Sequence, residues 1–154
     1  MKRFPGISLI ALLLLVFNAA GATADGIIVS NAWMPVAPPN AKVIAGYLSI
    51  ENKTSHKMTL TGISSKHFER VEIHRTEMHG DLMRMVQQDS LAIPSGDVIH
   101  LQPGGYHLMC IRPSSVPKEG ESVRLSLQFD RGDPALIDFV VRHPDSGRMK
   151  HSRH

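Results

Sequence analysis

The sequence predicts an all-β domain, either an antiparallel sandwich or a barrel. Short apolar or alternating runs recur about every 8–12 residues, turn-forming residues separate them, and no stretch of useful length has a helical period. Once a leader is set aside, the 154-residue chain also has the usual length of one domain with one core. We therefore expect a single domain over residues 25–141.

The first residues predict a secretory signal peptide over residues 1–24. Lys2 and Arg3 precede an apolar run from Ile7 to Phe17, and Ala22 and Ala24 form a small-residue cleavage site. This run is too short to cross a hydrocarbon core of roughly 30 Å, and no cysteine follows the site for lipid attachment. We expect cleavage before Asp25 and a soluble, periplasmic protein without a membrane anchor.

Charge and cysteine content exclude several classes of protein. The formal net charge is +3, but the basic excess lies in the leader and in the tail over residues 142–154, so the body carries no basic patch suited to nucleic acid. Cys110 is the only cysteine, which excludes an internal disulfide and paired-thiol redox chemistry. No nucleophile elbow or pair of carboxylates stands out, so we expect a non-enzyme.

Alternating and β-branched runs predict eight or nine strands. Turns follow at the His79-Gly80-Asp81 segment, at residues 93–97 and at residues 102–105, where glycine and proline concentrate. The predicted strands cover residues 27–33, 43–50, 57–63, 68–74, 82–86, 98–101, 106–111, 123–129 and 136–141. The tail is expected to lack regular structure.

Side-chain parity is informative in the strand over residues 106–111. Because side chains alternate along a strand, His107 and Met109 share one face, while Leu108 and Cys110 share the other. The pair of potential donors therefore points away from the thiol, and we expect Cys110 to be buried and unreactive.

Four potential metal donors form the most informative pattern, namely His74, Met85, His107 and Met109. Thioether sulfur is a poor ligand for zinc, calcium or magnesium, whereas two methionines beside two histidines suit Cu(I). We expect the hairpin over residues 74–85 to pack over the strand that carries His107, which would bring the donors together at one end of the sheet. Met78 and Met83 are candidate auxiliary ligands.

The spacing H-x10-M-x21-H-x-M resembles the signature of the periplasmic copper chaperone family PCu(A)C. The resemblance extends over GYLSIEN at residues 46–52, VEIH at 71–74, IPSG at 93–96 and LQPGGYHLM at 101–109. It implies a cupredoxin-like antiparallel β-sandwich of Greek-key type with Cu(I) bound by the four donors. It also implies delivery of copper to the binuclear copper centre of cytochrome c oxidase, with the copper-bearing oxidase subunit or a Sco-type thiol protein as partner.

Three local features concern the likeness to this family. Arg75 stands where some relatives have a methionine, and Cys110 stands where the family commonly has an apolar residue or methionine. The tail resembles, in miniature, the His/Met-rich extension of some members, which implies a second copper site, with Cu(II) as a candidate ion. Its candidate ligands are His143, Met149, His151 and His154.

Three other functions compete with a monomeric chaperone. A periplasmic copper buffer or resistance protein would use the same site without a dedicated partner. A blue-copper electron-transfer protein needs a cysteine thiolate and two histidines in a trigonal array, and the parity of Cys110 disfavours it. A plain β-sandwich binding module would bind no metal.

Overall fold

The computed structural model describes residues 22–24 and 26–144, and these residues form eleven strands. The strands are β1 (Ala22–Ala24), β2 (Ile27–Pro35), β3 (Val43–Asn52), β4 (Met58–Ser64), β5 (Phe68–His79), β6 (Leu82–Gln88), β7 (Leu91–Ile93), β8 (Val98–Leu101), β9 (Tyr106–Pro113), β10 (Ser122–Phe129) and β11 (Ala135–Arg142). No helix of the described part of the chain is long and apolar enough to cross a membrane.

All nine predicted strands are present, and the main differences lie at strand ends and in two short additions. The largest extension is in β5, which continues past the predicted end at His74 to His79 because it pairs with β6 as far as the turn at Gly80 and Asp81. The sequence analysis missed β1 and β7, each of three residues, because such short strands show no period of their own.

The strands pair into one sheet that returns to its own starting strand. The hydrogen-bonded path runs β5-β9-β3-β2-β11-β10-β4, and a further pairing between Ile63 and Val71 connects β4 back to β5. The prediction of a single all-β domain is confirmed. The pairings correspond to a closed sheet, the barrel alternative, more directly than to two separate sheets, because β4 bonds to both β10 and β5.

The core is built from alternating residues of the long strands. In β10, alternate residues that include Val123, Leu125 and Phe129 are buried, and their outward neighbour Arg124 is exposed and pairs with Asp138 of β11. Burial of these apolar faces, rather than strand propensity, supplies most of the free energy that stabilises such a sheet.

Strand β3 approaches β9, the strand that carries His107 and Met109, unusually closely at Gly46. Gly46 of β3 lies against Leu108 of β9, and a Cβ atom at Gly46 would stand 3.3 Å from the Leu108 Cβ and 3.5 Å from Phe139 Cε1. Glycine therefore allows β3 and β9 to pack tightly where Leu108 faces the core and its neighbours His107 and Met109 face outward.

Two predicted segments lie mainly outside the described residues. The predicted signal peptide falls there except for residues 22–24, which pair with the start of β2. The predicted tail is described only as far as residue 144.

Candidate metal centre

The register of β5, β6 and β9 brings the donor-bearing segments together. His74 of β5 lies directly opposite His107 of β9, and Met85 of β6 lies opposite Thr76 of β5. Opposed residues of paired strands point to the same side, so these side chains share the outer face of the sheet. The expectation that the hairpin packs over β9 was wrong in one respect, because β5 lies beside β9 in the same sheet.

His107 is held in one orientation by the turn that precedes its strand. His107 is 6% exposed, and its Nδ1 lies 3.1 Å from the Gly105 carbonyl oxygen. A carbonyl only accepts, so Nδ1 must carry the proton and donate it. In the neutral ring the lone pair is then on Nε2, which is buried and has no hydrogen-bond partner among the described residues.

His74 has the same arrangement with its ring nitrogens exchanged. Its Nε2 donates to Glu72 Oε2 at 2.9 Å, and its Nδ1 is buried without a hydrogen-bond partner in the described part of the chain. The hydrogen bond from His74, followed by that from Arg70, lowers the pKa of the Glu72 carboxyl and keeps it ionised as an acceptor. The two imidazole rings lie 6.0 Å apart, centroid to centroid.

The thioethers border a cleft that His107 lines and His74 does not. A cavity of about 190 Å³ is lined by Met85, His107 and Met109, together with Tyr47, Thr76 and other residues of the same face. Met109 is half-buried, whereas Met85 is 62% exposed. The cleft is therefore open to solvent on the Met85 side and closed toward β9.

This arrangement suits one soft metal ion. Two unpartnered imidazole nitrogens are buried polar groups that cost free energy unless something binds them, and a carbonyl or carboxylate on the other ring nitrogen is the usual support for a histidine ligand. Within the described residues, no three or more histidine, cysteine or acidic side chains are placed so that they alone could hold a metal ion. The candidate donors are thus two nitrogens and two sulfurs, a set that favours Cu(I).

The candidate auxiliary ligands lie farther out on the hairpin. Met78 and Met83 are opposite each other near its tip, and both are exposed. His79, at the tip, has its Nε2 3.5 Å from Glu77 Oε2. None of these three lines the cleft of Met85 and His107.

The predicted tail site is only partly described. His143 is exposed, with its Nε2 3.5 Å from Glu119 Oε2. The other three candidates, Met149, His151 and His154, lie outside the described residues.

Several residues at the site were not predicted from the sequence. Glu72 and Gly105 orient the two histidines, and Tyr47 and Thr76 line the cleft. Glu72 could have been suspected from its position two residues before His74 on the same strand face. Tyr47 had no such signal, because its place depends on the pairing of β3 with β9.

Cys110 lies on the core side of β9. It is fully buried, and this burial raises the pKa of its thiol to about 12. We expect the native protein at pH 8 to react with a thiol reagent such as dithionitrobenzoate far more slowly than the protein unfolded in guanidinium chloride, because reaction requires an accessible thiolate. Equal rates in the two states would contradict the buried position.

Comparison with known proteins points to one family. A family model described as "Putative lipoprotein LpqE-like" matches residues 27–141. The chain is 27% identical over 123 residues to "Putative lipoprotein Lxx21020" of Leifsonia xyli, covering 79% of this chain and 73% of the relative. It is 26% identical over 98 residues to "Uncharacterized protein RP573" of Rickettsia prowazekii, covering 63% of this chain and only 54% of that relative.

Solved structures share the fold. The copper-bound PCuAC domain from PmoF2 has a TM-score of 0.71 at 19% identity, covering 80% of this chain and 98% of that domain. The apo solution structure of DR1885 from Deinococcus radiodurans has a TM-score of 0.60 at 24% identity, with 96% and 99% covered. A CuI form of DR1885 has a TM-score of 0.58 at 23% identity, with 84% and 85% covered.

Proposed function

The chain belongs to the LpqE-like family, which is the PCu(A)C family that its sequence resembles, and we propose that it is an exported, non-enzymatic copper chaperone. It binds one Cu(I) through His74, Met85, His107 and Met109 on a cupredoxin-like β-domain. It carries the ion through the periplasm to a copper enzyme.

The observation that carries the proposal is the pair of unpartnered imidazole nitrogens. His74 Nδ1 and His107 Nε2 are buried on one face, and each ring is held by a hydrogen bond through its other nitrogen. Such second-partner hydrogen bonds fix the tautomer and raise the basicity of a histidine that binds a metal. The copper-bound states named for two structures of the same fold support this assignment.

The unequal exposure of the donors suits delivery. His107 is buried and Met109 is half-buried, while Met85 stands on β6, an exposed edge strand of the described residues where a ligand from another protein can approach. All four donors are uncharged when they bind, so the ion can be passed on by exchanging one ligand at a time. We propose the copper-bearing subunit of cytochrome c oxidase, or a Sco-type thiol protein, as the recipient.

The binding step is tested by an anaerobic Cu(I) titration against a chromophoric chelator. We expect one tightly bound ion, and we expect Met109→Ala to weaken binding at least tenfold because it removes a sulfur donor. Ile111→Ala is the matched control, since Ile111 lies two residues further along the same face of β9. Equal affinities for both variants and the unchanged protein would refute the site.

The delivery step is tested in a strain that lacks the protein. If this strain loses cytochrome c oxidase activity and added copper restores that activity, the result would support a chaperone. Copper sensitivity with normal oxidase activity would instead indicate a copper buffer or resistance protein that uses the same site. An intense thiolate-to-copper absorption in the oxidised protein would revive the blue-copper alternative.

Glu72 is expected to set copper affinity without binding the metal. Glu72→Ala removes the acceptor that orients His74, and we expect an affinity about 10–100-fold lower, whereas Glu72→Gln should lose less because its amide oxygen still accepts a hydrogen bond. Glu69→Ala is the control, because Glu69 pairs with Arg112 and does not contact a histidine of the site. An unchanged affinity in Glu72→Ala would show that His74 needs no support.

The lowered pKa of Glu72 also determines how the free energy of unfolding changes with pH. Because the folded-state value lies below the ordinary one, the stabilising contribution of Glu72 is present above the usual carboxyl range and is lost as pH falls through the folded-state pKa.

A further inference from the structure

The β5–β6 hairpin exposes an unusual amount of methionine. Met78 is 62% exposed, Met83 is 67% exposed, and Met85, the proposed ligand of the inner site, is 62% exposed. Single apolar residues on a surface need no explanation, but three large thioethers on one hairpin are a contiguous group. The strand that carries two of them, β6, is an edge strand among the described residues.

Strand register places the three sulfurs on one face. Met78 is directly opposite Met83, so their Cβ atoms are about 5 Å apart, and Met85 follows Met83 by two residues on the same side. A methionine side chain has three rotatable bonds and adapts easily, so three sulfurs on this patch can converge on one ion.

Near its tip, the same face of the hairpin carries no charge. Besides the three methionines it holds Thr76, with Gln87 and His74 farther from the turn, whereas the charged residues Arg75, Glu77 and Arg84 lie on the opposite face by strand parity. The carboxylate of Glu72 lies on this face too, but beyond His74, to which it is hydrogen-bonded. The donors near the tip are therefore the three soft, neutral thioethers and the Thr76 hydroxyl, with no carboxylate for a hard cation. This chemistry selects Cu(I), or its analogue Ag(I), over divalent hard ions.

We propose that Met78, Met83 and Met85 form a second soft-metal site, a three-thioether site for Cu(I) on the outer face of the hairpin. Met85 belongs to both this outer site and the inner histidine site, so an ion can pass between them by keeping one sulfur and exchanging the others. The outer site is argued from the geometry of the hairpin alone, while the passage of an ion from it to the inner site rests on the proposed function.

The test uses the full chain labelled with methyl-¹³C methionine and titrated with Ag(I), a soft ion that does not change oxidation state in air. The inner site is disabled by the double substitution His107→Ala and Met109→Ala. At one equivalent we expect the methyl resonances of Met78, Met83 and Met85 to shift. Those of Met34 and Met58, which are buried in the core, should stay in place.

A pair of variants tests whether the three thioethers must lie on the same face of the hairpin to bind Ag(I). In the double-substituted background, Met83→Leu should weaken Ag(I) binding at least tenfold, because it removes a sulfur and keeps the apolar volume. Combining it with Leu82→Met restores the number of thioethers but places the new one on the opposite face, opposite His79, and should not restore binding. Recovery of affinity in that variant would overturn the three-thioether geometry.

This experiment distinguishes failure of the outer site from failure of the inner site of the proposed function. If the methyl groups of the hairpin do not shift in the double-substituted protein, the outer site is refuted, whatever the unchanged protein does. If they shift there, but Met109 in the unchanged protein does not respond to Ag(I) or Cu(I), the outer site stands and the inner site of the proposed function falls.

Discussion

Replacing His107 by alanine is expected to lower Cu(I) affinity by at least about 100-fold. The substitution removes a buried, pre-oriented nitrogen donor, and loss of only the supporting partner of such a ligand already costs about 10–100-fold. It also opens the floor of the cleft that Met85 and Met109 border. The measurement is an anaerobic competition titration with a Cu(I) chelator at pH 7.

The control for this prediction is His100→Ala. His100 is an exposed histidine of β8, whose Nδ1 lies 2.8 Å from Ser49 Oγ, and it is not part of the cleft. Its loss removes one imidazole from the same protein and should leave the affinity within about twofold. Similar losses in the two variants would mean that copper binds to surface histidines without a defined site.

Replacing Asn52 by alanine is expected to destabilise the fold by about 3 kcal/mol. Asn52 is fully buried, and its side-chain amide donates to the carbonyl oxygens of His56 and Ile93, each at 2.9 Å. Its Oδ1 accepts from the backbone N–H of Thr54 at 2.9 Å and from the Thr54 hydroxyl at 2.7 Å. Alanine leaves the Ile93 carbonyl and the Thr54 N–H without this partner, whereas the Thr54 hydroxyl and the His56 carbonyl still have each other at 2.8 Å. Each unsatisfied buried group costs about 1–3 kcal/mol.

Urea unfolding followed by far-ultraviolet circular dichroism measures this loss. Asn40→Ala is the matched control, because Asn40 is an exposed asparagine in the turn before β3 and should change the free energy of unfolding by less than about 0.5 kcal/mol. Copper affinity of folded Asn52→Ala should stay close to that of the unchanged protein, since Asn52 does not line the cleft. A loss below about 1 kcal/mol would show that water replaces the amide.

The strand pattern and the outward face of β9 could be read from local alternation. Leu108 and Cys110 are buried, and His107 and Met109 face the other way, as parity predicts. The role of Asn52 could not be read in this way. The ENKTS segment at residues 51–55 has the composition of a solvated turn, yet its asparagine is buried, because the turn over residues 94–97 packs against it and bonds to its backbone.

The sequence by itself determined the all-β class, the facing of β9 and the kinds of donor available, because these depend on periodicity and side-chain chemistry within short segments. Only the tertiary structure decided that His74 stands beside His107, that the sheet returns on itself through β4 and β5, and which nitrogen of each histidine is unpartnered. The first two features depend on the register between strands that are distant in the chain. The third depends on the rotamer of each histidine, since its partner, Glu72 or the Gly105 carbonyl, lies only two residues before it. Register is set by burial of whole strand faces, and no local pattern encodes it.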